Sequence, residues 1–171
     1  MNRLRGALVW LSRIAHCRGF GIQSPTDYWM VRYVINERWP YYQYDNIGRN
    51  DDWLTQKVGR LCFRLANWRQ PLTVVATQYE DYIKAGCRQC RTATDAAEVE
   101  MAVASTEQEL ERLLSKCGDA SVLVLDRLFQ HRQLWKRMIK EPQATVMFDL
   151  YYCGIMLFNK KRTKKHYTIN F

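Results

Sequence analysis

Ser121-Val-Leu-Val-Leu-Asp126 decides the fold of this 171-residue chain. Four apolar residues follow one another without a polar interruption, two of them are β-branched, and the run ends in an acid. A strand that is apolar at consecutive positions has both faces buried, which is typical of a parallel sheet covered by helices on each side. We therefore predict a strand over residues 121–126 inside an α/β domain.

Two other short apolar runs lie upstream, at residues 72–77 and 99–104. Between the second of these runs and residue 121 comes a helix-forming stretch over residues 106–116. In that stretch Thr106 has the position of an N-cap and Glu109 completes a capping box. Buried strands that alternate with helices predict a parallel sheet with helices on its faces.

The last third of the chain predicts a different kind of strand pairing. After a helix over residues 128–140, strands are expected at 145–150, 155–158 and 166–171, with a turn at Cys153-Gly154. Strands this close together must be antiparallel, because a parallel crossover needs about a dozen residues. The predicted fold is therefore α/β: a reduced Rossmann-like sheet with a parallel core and antiparallel C-terminal strands at one edge, preceded by N-terminal helices.

The first 70 residues are predicted to be helical. Residues 3–17 place an apolar stripe on one helix face, and this face is expected to pack on the domain, to dimerise or to lie on a membrane surface. The stripe consists of Leu4, Leu8, Leu11 and Ala15, with Ala7 and Ile14 beside it. Further helices are expected over 25–34, capped by Ser24, and over 51–68. Residues 1–70 should thus form a helical segment that packs on an α/β domain at 71–171, in one compact unit.

Two acid-free blocks carry much of the formal net charge of +9. The first lies in residues 1–20 and the second in residues 160–165. Their cations include Arg3, Arg5, Arg13, Lys160, Lys161, Arg162, Lys164 and Lys165. Such blocks favour nucleic acid or an anionic membrane as a partner, although a solvated basic surface explains them equally well. A homodimer is a further possibility, because a shortened sheet exposes an edge.

The six cysteines and the hydropathy of the chain bear on its compartment and on metal binding. Cys87 and Cys90 are close in sequence, but no second close pair is present to complete a zinc site. No apolar run approaches the ~18 residues of a membrane span, and the N-terminus lacks the features of a signal peptide. We therefore expect free thiols, no metal ligands and a cytoplasmic protein.

Three stretches resemble a bacterial family of class I S-adenosylmethionine-dependent methyltransferases. Gly19-Phe-Gly-Ile-Gln-Ser-Pro25 is similar to the family's Gly-x-Gly-Ile-His-Ser-Pro motif. Tyr41–Asp45 and Arg64–Asn67, followed by Gln70-Pro71, resemble its helical preface to the first strand. Residues 121–171 resemble its C-terminal half, including Phe148-Asp-Leu150 and Gly154-Ile-Met-Leu-Phe158. Together these stretches cover most of the chain.

The resemblance implies a cofactor crevice at the carboxyl ends of the strands, formed here by Thr77, Gln78, Ser105 and Asp126. The family's first strand ends in a glycine-rich turn, which lets the backbone approach the cofactor closely. Here that turn contains no glycine, and Tyr79 stands where the methionine half of the cofactor would pass. The stretch between Val74 and Ser121 is also too short for the family's further strand–helix units. Residues 88–94, followed by Asp95, are the nearest match to its second strand and ribose-binding acid.

Three functions remain open from the sequence. The first is a methyltransferase-like domain that has lost S-adenosylmethionine binding and catalysis and acts as a binding or interaction protein. The second is an active methyltransferase with an atypical cofactor loop, for which S-adenosylmethionine would be the cofactor. The third is a basic accessory protein that binds nucleic acid or an anionic membrane, and the aromatic residues Trp39, Tyr41, Tyr42 and Tyr44 either stack on bases or pack internally. No catalytic residue is assigned.

Overall fold

The computed structural model describes residues 3–171, with side chains from Gly6 onward. Within these residues a seven-stranded sheet lies between two layers of helices. The helices are α1 (Arg3–Ser12), α2 (Pro25–Met30, continuing as a π-helical turn over Val31–Ile35), α3 (Trp53–Arg69), α4 (Glu80–Gly86), α5 (Glu107–Leu114) and α6 (Arg132–Met138). The strands are β1 (Thr73–Val75), β2 (Arg91–Thr92), β3 (Val99–Ala104), β4 (Cys117–Asp126), β5 (Val146–Asp149), β6 (Cys153–Leu157) and β7 (Lys165–Thr168).

The sheet is mixed, with the strand order β2-β1-β3-β4-β6-β5-β7. Strands β1 to β4 pair with one another in parallel, whereas β6 is antiparallel to both of its neighbours, β4 and β5. The prediction of an α/β protein with a parallel core and antiparallel C-terminal pairing is confirmed at this level.

The predicted position of the antiparallel pairing was wrong in two respects. The antiparallel strand β6 lies inside the sheet, and the edge strand β7 runs parallel to β5. Two successive reversals return β7 to the direction of β5, and it pairs with that strand instead of with its neighbour in sequence. The turn also comes earlier than Cys153-Gly154, at residues 150–152, where Tyr151 has a positive φ of 69°.

Alternate residues of β4 supply two separate cores. Val122 and Val124 belong to the core under α3 and α4, and Leu123 and Leu125 belong to the core under α5 and α6. Leu65 of α3 lies in the same core as Val124. The N-terminal helices and the sheet therefore share one hydrophobic core across residue 70.

Helix α1 does not bury the stripe predicted for it. Leu8, Leu11 and Ile14 are each more than half exposed, and Val9, which lies off the predicted stripe, packs on the core. The segment is held mainly by polar contacts, because Asn170 donates a backbone hydrogen bond to His16 O and a side-chain hydrogen bond to Trp10 O, both of 3.0 Å. No helix in the described residues is long and apolar enough to cross a bilayer.

Candidate functional site

The four residues of the predicted crevice lie at one edge of the sheet. Thr77 and Gln78 follow β1, Ser105 follows β3 and Asp126 ends β4. These strands are parallel, so their carboxyl ends meet where open α/β sheets bind ligands. The four side chains do not line a common cavity, however. Thr77 and Gln78 are exposed, and Asp126 is completely buried.

Ser105 serves the adjacent helix. Its backbone N–H donates a 2.8 Å hydrogen bond to Glu109 Oε2, and the Glu109 N–H donates one of 3.2 Å to Thr106 Oγ1. These contacts satisfy donors at the start of α5, as the capping pattern predicted. The Ser105 backbone is thus already engaged in the fold.

Tyr79 is buried at the carboxyl edge of the sheet, where its hydroxyl lies close to the Asp126 carboxyl. It precedes α4 with a left-handed backbone conformation, φ 65° and ψ 14°, and only 8% of the residue is exposed. Burial raises the pKa of its hydroxyl well above the usual value, and the neighbouring Asp126 carboxyl raises it further. The side chain therefore lies inside the protein where the resemblance places a glycine-rich turn.

Asp126 lies beneath Tyr79 and is cut off from solvent. Neither of its carboxyl oxygens has a hydrogen-bond partner among the described residues, and the Arg127 guanidinium approaches to 3.6 Å. Burial raises the pKa of this carboxyl, although Arg127 and the nearby Tyr79 hydroxyl favour the ionised form in part. The buried thiols of Cys62 and Cys153 lie in the same region. A ligand cannot reach Asp126 while Tyr79 is in place.

Two cavities flank Thr77, and both carry acids. One of about 280 Å³ lies beside α5 and includes Glu80 and Glu109 in its wall. The other, of about 530 Å³, lies between α3 and α4 and includes Asp51, Glu80 and Asp81. Each wall also contains an arginine, Arg112 in the first and Arg127 in the second, so both cavities carry charges of either sign.

The predicted basic blocks are partly used inside the fold. Arg13 forms a 2.8 Å ion pair with Asp149, and Arg162 forms one with the buried Asp27. Lys160, Lys161, Lys164 and Lys165 are exposed, and Lys164 donates to the carbonyl of Glu141. The side chains of Arg3 and Arg5 lie outside the described residues. The two blocks thus do not offer all their charges to a partner.

A different set of cations lines a cavity that the sequence did not reveal. The cavity measures about 300 Å³, and Arg38, Lys57, Arg60 and Arg64 contribute to its wall. Lys57 Nζ lies over three rings, at 4.3 Å from the centroid of Phe171, 5.4 Å from Trp53 and 5.5 Å from Tyr152. Among the described residues, no carboxylate lies within 4.0 Å of this ammonium group.

The surroundings of Lys57 disfavour the charged form of its side chain. Burial lowers the pKa of the Lys57 ammonium to about 8, and the nearby charges of Arg64 and Arg38 lower it as well, while Cys153 acts in the opposite direction. A lysine with an anionic partner would have its charged form stabilised. The site is therefore short of negative charge.

Arg64 holds one wall of this cavity in place. The buried guanidinium donates hydrogen bonds of 2.7 Å to Val34 O and 2.9 Å to Ile35 O. These bonds fix the end of the α2 segment, from which Asn36 and Arg38 reach the cavity wall. The Asn36 Nδ2 group is buried and has no acceptor within the described residues.

A second cavity of about 530 Å³ adjoins the first and shares Asn36, Glu37, Arg38 and Phe171 in its wall. We call the two together the basic groove. Its cations are Arg18, Arg32, Arg38, Lys57, Arg60 and Arg64. Its aromatic residues are Trp10, Tyr33, Trp39, Trp53 and Phe171. Among the described residues that line it, Glu37 is the one acid, and it accepts a 2.8 Å hydrogen bond from the Tyr41 hydroxyl.

The aromatic connector, for which base stacking and internal packing were both left open, divides into two packed rings and two exposed rings. Tyr41 and Tyr44 pack against Phe63, with ring centroids 4.8 Å and 5.1 Å from it. Trp39 and Tyr42 are exposed, and Trp39 lies in the wall of the basic groove. Two features of the sequence could have pointed to the groove. One is this aromatic connector, and the other is the helical spacing of Lys57, Arg60 and Arg64 on α3.

Metal chemistry has no support in the described part of the chain, which contains no cluster of three His, Cys, Asp or Glu side chains suited to a metal ion. All six cysteines are free thiols, and Cys87 donates to Pro71 O at 3.4 Å.

Neither the family models, nor the curated proteins, nor the solved structures that were compared with this chain gave a match.

Proposed function

We propose that this chain is a methyltransferase-like domain that no longer binds S-adenosylmethionine and acts as a binding protein. The observation that carries the proposal is the buried Tyr79 side chain, which occupies the carboxyl edge between β1 and β4. An enzyme of this kind needs that space for its cofactor, and a bulky residue there with a left-handed backbone fills it from within.

The sheet supports the methyltransferase-like part of this proposal. Its parallel strands are followed by the β5–β6 hairpin, which contains the Phe148-Asp-Leu150 and Gly154–Phe158 stretches of the resemblance. The Gly19–Pro25 stretch forms the loop before α2, with Ser24 accepting a hydrogen bond from the Asp27 N–H. The positions of these stretches are compatible with the proposed likeness.

The positions that would bind a cofactor support the loss of binding. Asp95 is the nearest candidate for a ribose-binding acid, but it lies in an exposed loop where Lys116 pairs with it and Arg112 approaches to 3.7 Å. Asp126 is completely buried close to the Tyr79 hydroxyl, so its carboxylate is not available to a ribose or an amino group of the cofactor. An active enzyme with an atypical loop would require Tyr79 to leave its buried position.

Isothermal titration with S-adenosylmethionine and with its demethylated product tests the proposal. We expect no binding in the micromolar range by the wild-type chain, and the same result for a Tyr79→Phe variant that keeps the ring. A Tyr79→Gly variant, in which glycine accepts the positive φ, tells whether the ring alone closes the crevice. Micromolar binding by the wild type would refute the proposal and favour the active enzyme.

A further inference from the structure

We propose that the basic groove binds single-stranded nucleic acid, with Lys57, Arg60 and Arg38 contacting phosphates and Trp53 and Trp39 stacking on bases. This inference names a partner for the binding role proposed above, and it places that partner away from the crevice at Thr77. The groove is built from three separate parts of the chain, residues 10–39, α3 and the last two residues.

The charges of the groove call for an anionic ligand. Arg18, Arg32 and Arg38 are without a carboxylate within 4.0 Å among the described residues, as is Lys57, and the arginines keep their charge at any physiological pH. Like charges gathered in a concave surface raise the local concentration of anions and speed their association. A fold with no use for that charge would gain stability by placing an acid there.

The hydrogen-bonding groups of the groove call for an acceptor-rich ligand. Lys57 offers an ammonium that faces three rings and no hydrogen-bond acceptor, and the buried Asn36 Nδ2 also lacks an acceptor within the described residues. A buried donor left without an acceptor costs free energy. Phosphate oxygens at the groove would accept hydrogen bonds from the Lys57 ammonium and neutralise its charge in the same step.

The exposed rings favour nucleic acid over other anions. Trp53 is 53% exposed and Trp39 is 71% exposed, and both lie in the wall of a cavity that also contains arginines. Alternating cations and aromatic rings along a groove is the arrangement that holds single strands, because every base has a face that can stack. A bilayer surface would require the cations on a protruding face, whereas here they line cavities of about 300 and 530 Å³.

Fluorescence anisotropy with labelled oligothymidylate and oligouridylate of about 20 nucleotides tests this proposal directly. We expect saturable binding whose constant falls with salt, with a slope of about −0.7 for each phosphate contacted. Contacts from Lys57, Arg60 and Arg38 thus predict a slope of about −2. Absence of binding, or binding that is independent of salt, would overturn the proposal.

Matched variants locate the site. The double variant Lys57→Gln with Arg60→Gln removes two groove cations, and Lys160→Gln with Lys161→Gln removes two exposed cations elsewhere. We expect the first to weaken binding at least about tenfold and the second less than about threefold, with the salt slope lowered by about 1.4 in the first alone. Equal losses in the two double variants would show binding through net charge and would contradict the groove.

Two single variants at exposed positions keep the test decisive if the double variant fails to fold. Arg38→Gln removes an exposed cation, and Trp53→Ala removes an exposed ring, each with thermal unfolding as the control for folding. We expect each to weaken oligonucleotide binding about fivefold or more. Unchanged affinity in both folded variants would overturn the assignment.

Three further ligands separate this partner from its alternatives. We expect a mononucleotide to compete only weakly and phosphatidylserine vesicles not to bind at the salt concentration where the oligonucleotide does. Tight binding of the mononucleotide with none of the oligonucleotide, or binding of vesicles alone, would refute the proposal. The titration with S-adenosylmethionine has its own readout, so a failure there leaves the result with oligonucleotides independent.

Discussion

Lys57 is the residue at which function and stability most clearly oppose each other. Its stem packs in α3 and its ammonium faces the rings of Phe171, Trp53 and Tyr152 with no carboxylate nearby in the described structure. Interactions with ring faces favour the charged ammonium, whereas burial and the nearby Arg64 and Arg38 charges lower the pKa of Lys57 to about 8. An anionic ligand of the kind proposed for the groove would supply the negative charge that this ammonium lacks.

Replacing Lys57 with methionine should therefore stabilise the free protein. We expect Lys57→Met to raise the free energy of unfolding at pH 7 by about 1–2 kcal/mol, because a buried unpaired charge is removed and the packing of the stem is kept. Between pH 8 and pH 10.5 the unfolded chain binds more protons than the native chain, so the stability of the wild type rises across that window. The stability advantage of Lys57→Met over the wild type therefore shrinks toward pH 10.

Urea unfolding at pH 7 and at about pH 10 measures this effect. Lys160→Met, at an exposed position, is the control, and its stability should stay within about 0.5 kcal/mol of the wild type. A Lys57→Met protein less stable than the wild type at pH 7 would mean that the ring contacts dominate. The same variant should lose oligonucleotide affinity, which ties the stability gain to the groove.

At the scale of elements, local signals in the sequence were reliable wherever a segment determines its own structure. The capping box at Thr106 and Glu109 begins α5, and the apolar run at 121–126 lies in β4. Contacts between distant segments could not be predicted from the sequence. The α1 stripe stays exposed because Asn170, at the far end of the chain, holds this helix through its backbone, and β7 pairs with β5 by an unforeseen parallel register.

The candidate site shows the same limit. Thr77, Gln78, Ser105 and Asp126 lie at one edge of the sheet, since parallel strands bring their ends together. Their separation into exposed and buried groups depends on how Tyr79 turns, which no local pattern expresses. The basic groove was missed because its cations come from separate segments that only the folded chain brings together.

Strand β6 packs closely against α6 at Gly154. A Cβ added at Gly154 would stand 2.4 Å from the Trp135 ring of α6, and rigid indole atoms cannot give way by that much. We expect Gly154→Ala to lower the free energy of unfolding by about 1–3 kcal/mol. Gly118→Ala in β4 is the matched control, because no atom lies within 4 Å of its added Cβ. Urea unfolding measures the stability of both variants. Equal free energies of unfolding for Gly154→Ala and Gly118→Ala would show that the β6–α6 contact is loosely packed.

At the scale of the whole molecule, one carboxylate joins three parts of the chain. Asp149, at the end of β5, pairs with Arg13 at 2.8 Å and with Arg132 of α6 at 2.6 Å. Arg13 also donates to the carbonyls of Asp149 and Ile169, at 2.9 Å and 3.2 Å. The N-terminal segment, which buries little of its apolar stripe, is thus attached to the sheet chiefly through this ion pair and through Asn170.

Removing the charge of Asp149 should destabilise the folded protein. Burial raises the pKa of Asp149, but Arg13, the Tyr151 N–H and Arg132 together hold it below the usual value. We expect Asp149→Asn to lower the free energy of unfolding at pH 7 by about 3 kcal/mol, because two partly buried arginines lose their counter-ion. The folded pKa is depressed, so the wild-type advantage is complete above pH 4 and is lost as the pH falls below it.

Urea unfolding at pH 7 and at about pH 3 checks both the magnitude and the sign of this effect. Asp119→Asn, which removes an exposed carboxylate of β4, controls for the change in net charge and should leave stability within about 0.5 kcal/mol of the wild type. An Asp149→Asn protein as stable as the wild type at pH 7 would show that the desolvation of these ions cancels their attraction. In that case the hydrogen bonds of Arg13 to the Asp149 and Ile169 carbonyls, the contacts of Asn170 and the packing of Val9 would hold the N-terminal segment, and with it the wall of the basic groove that Trp10 and Arg18 provide.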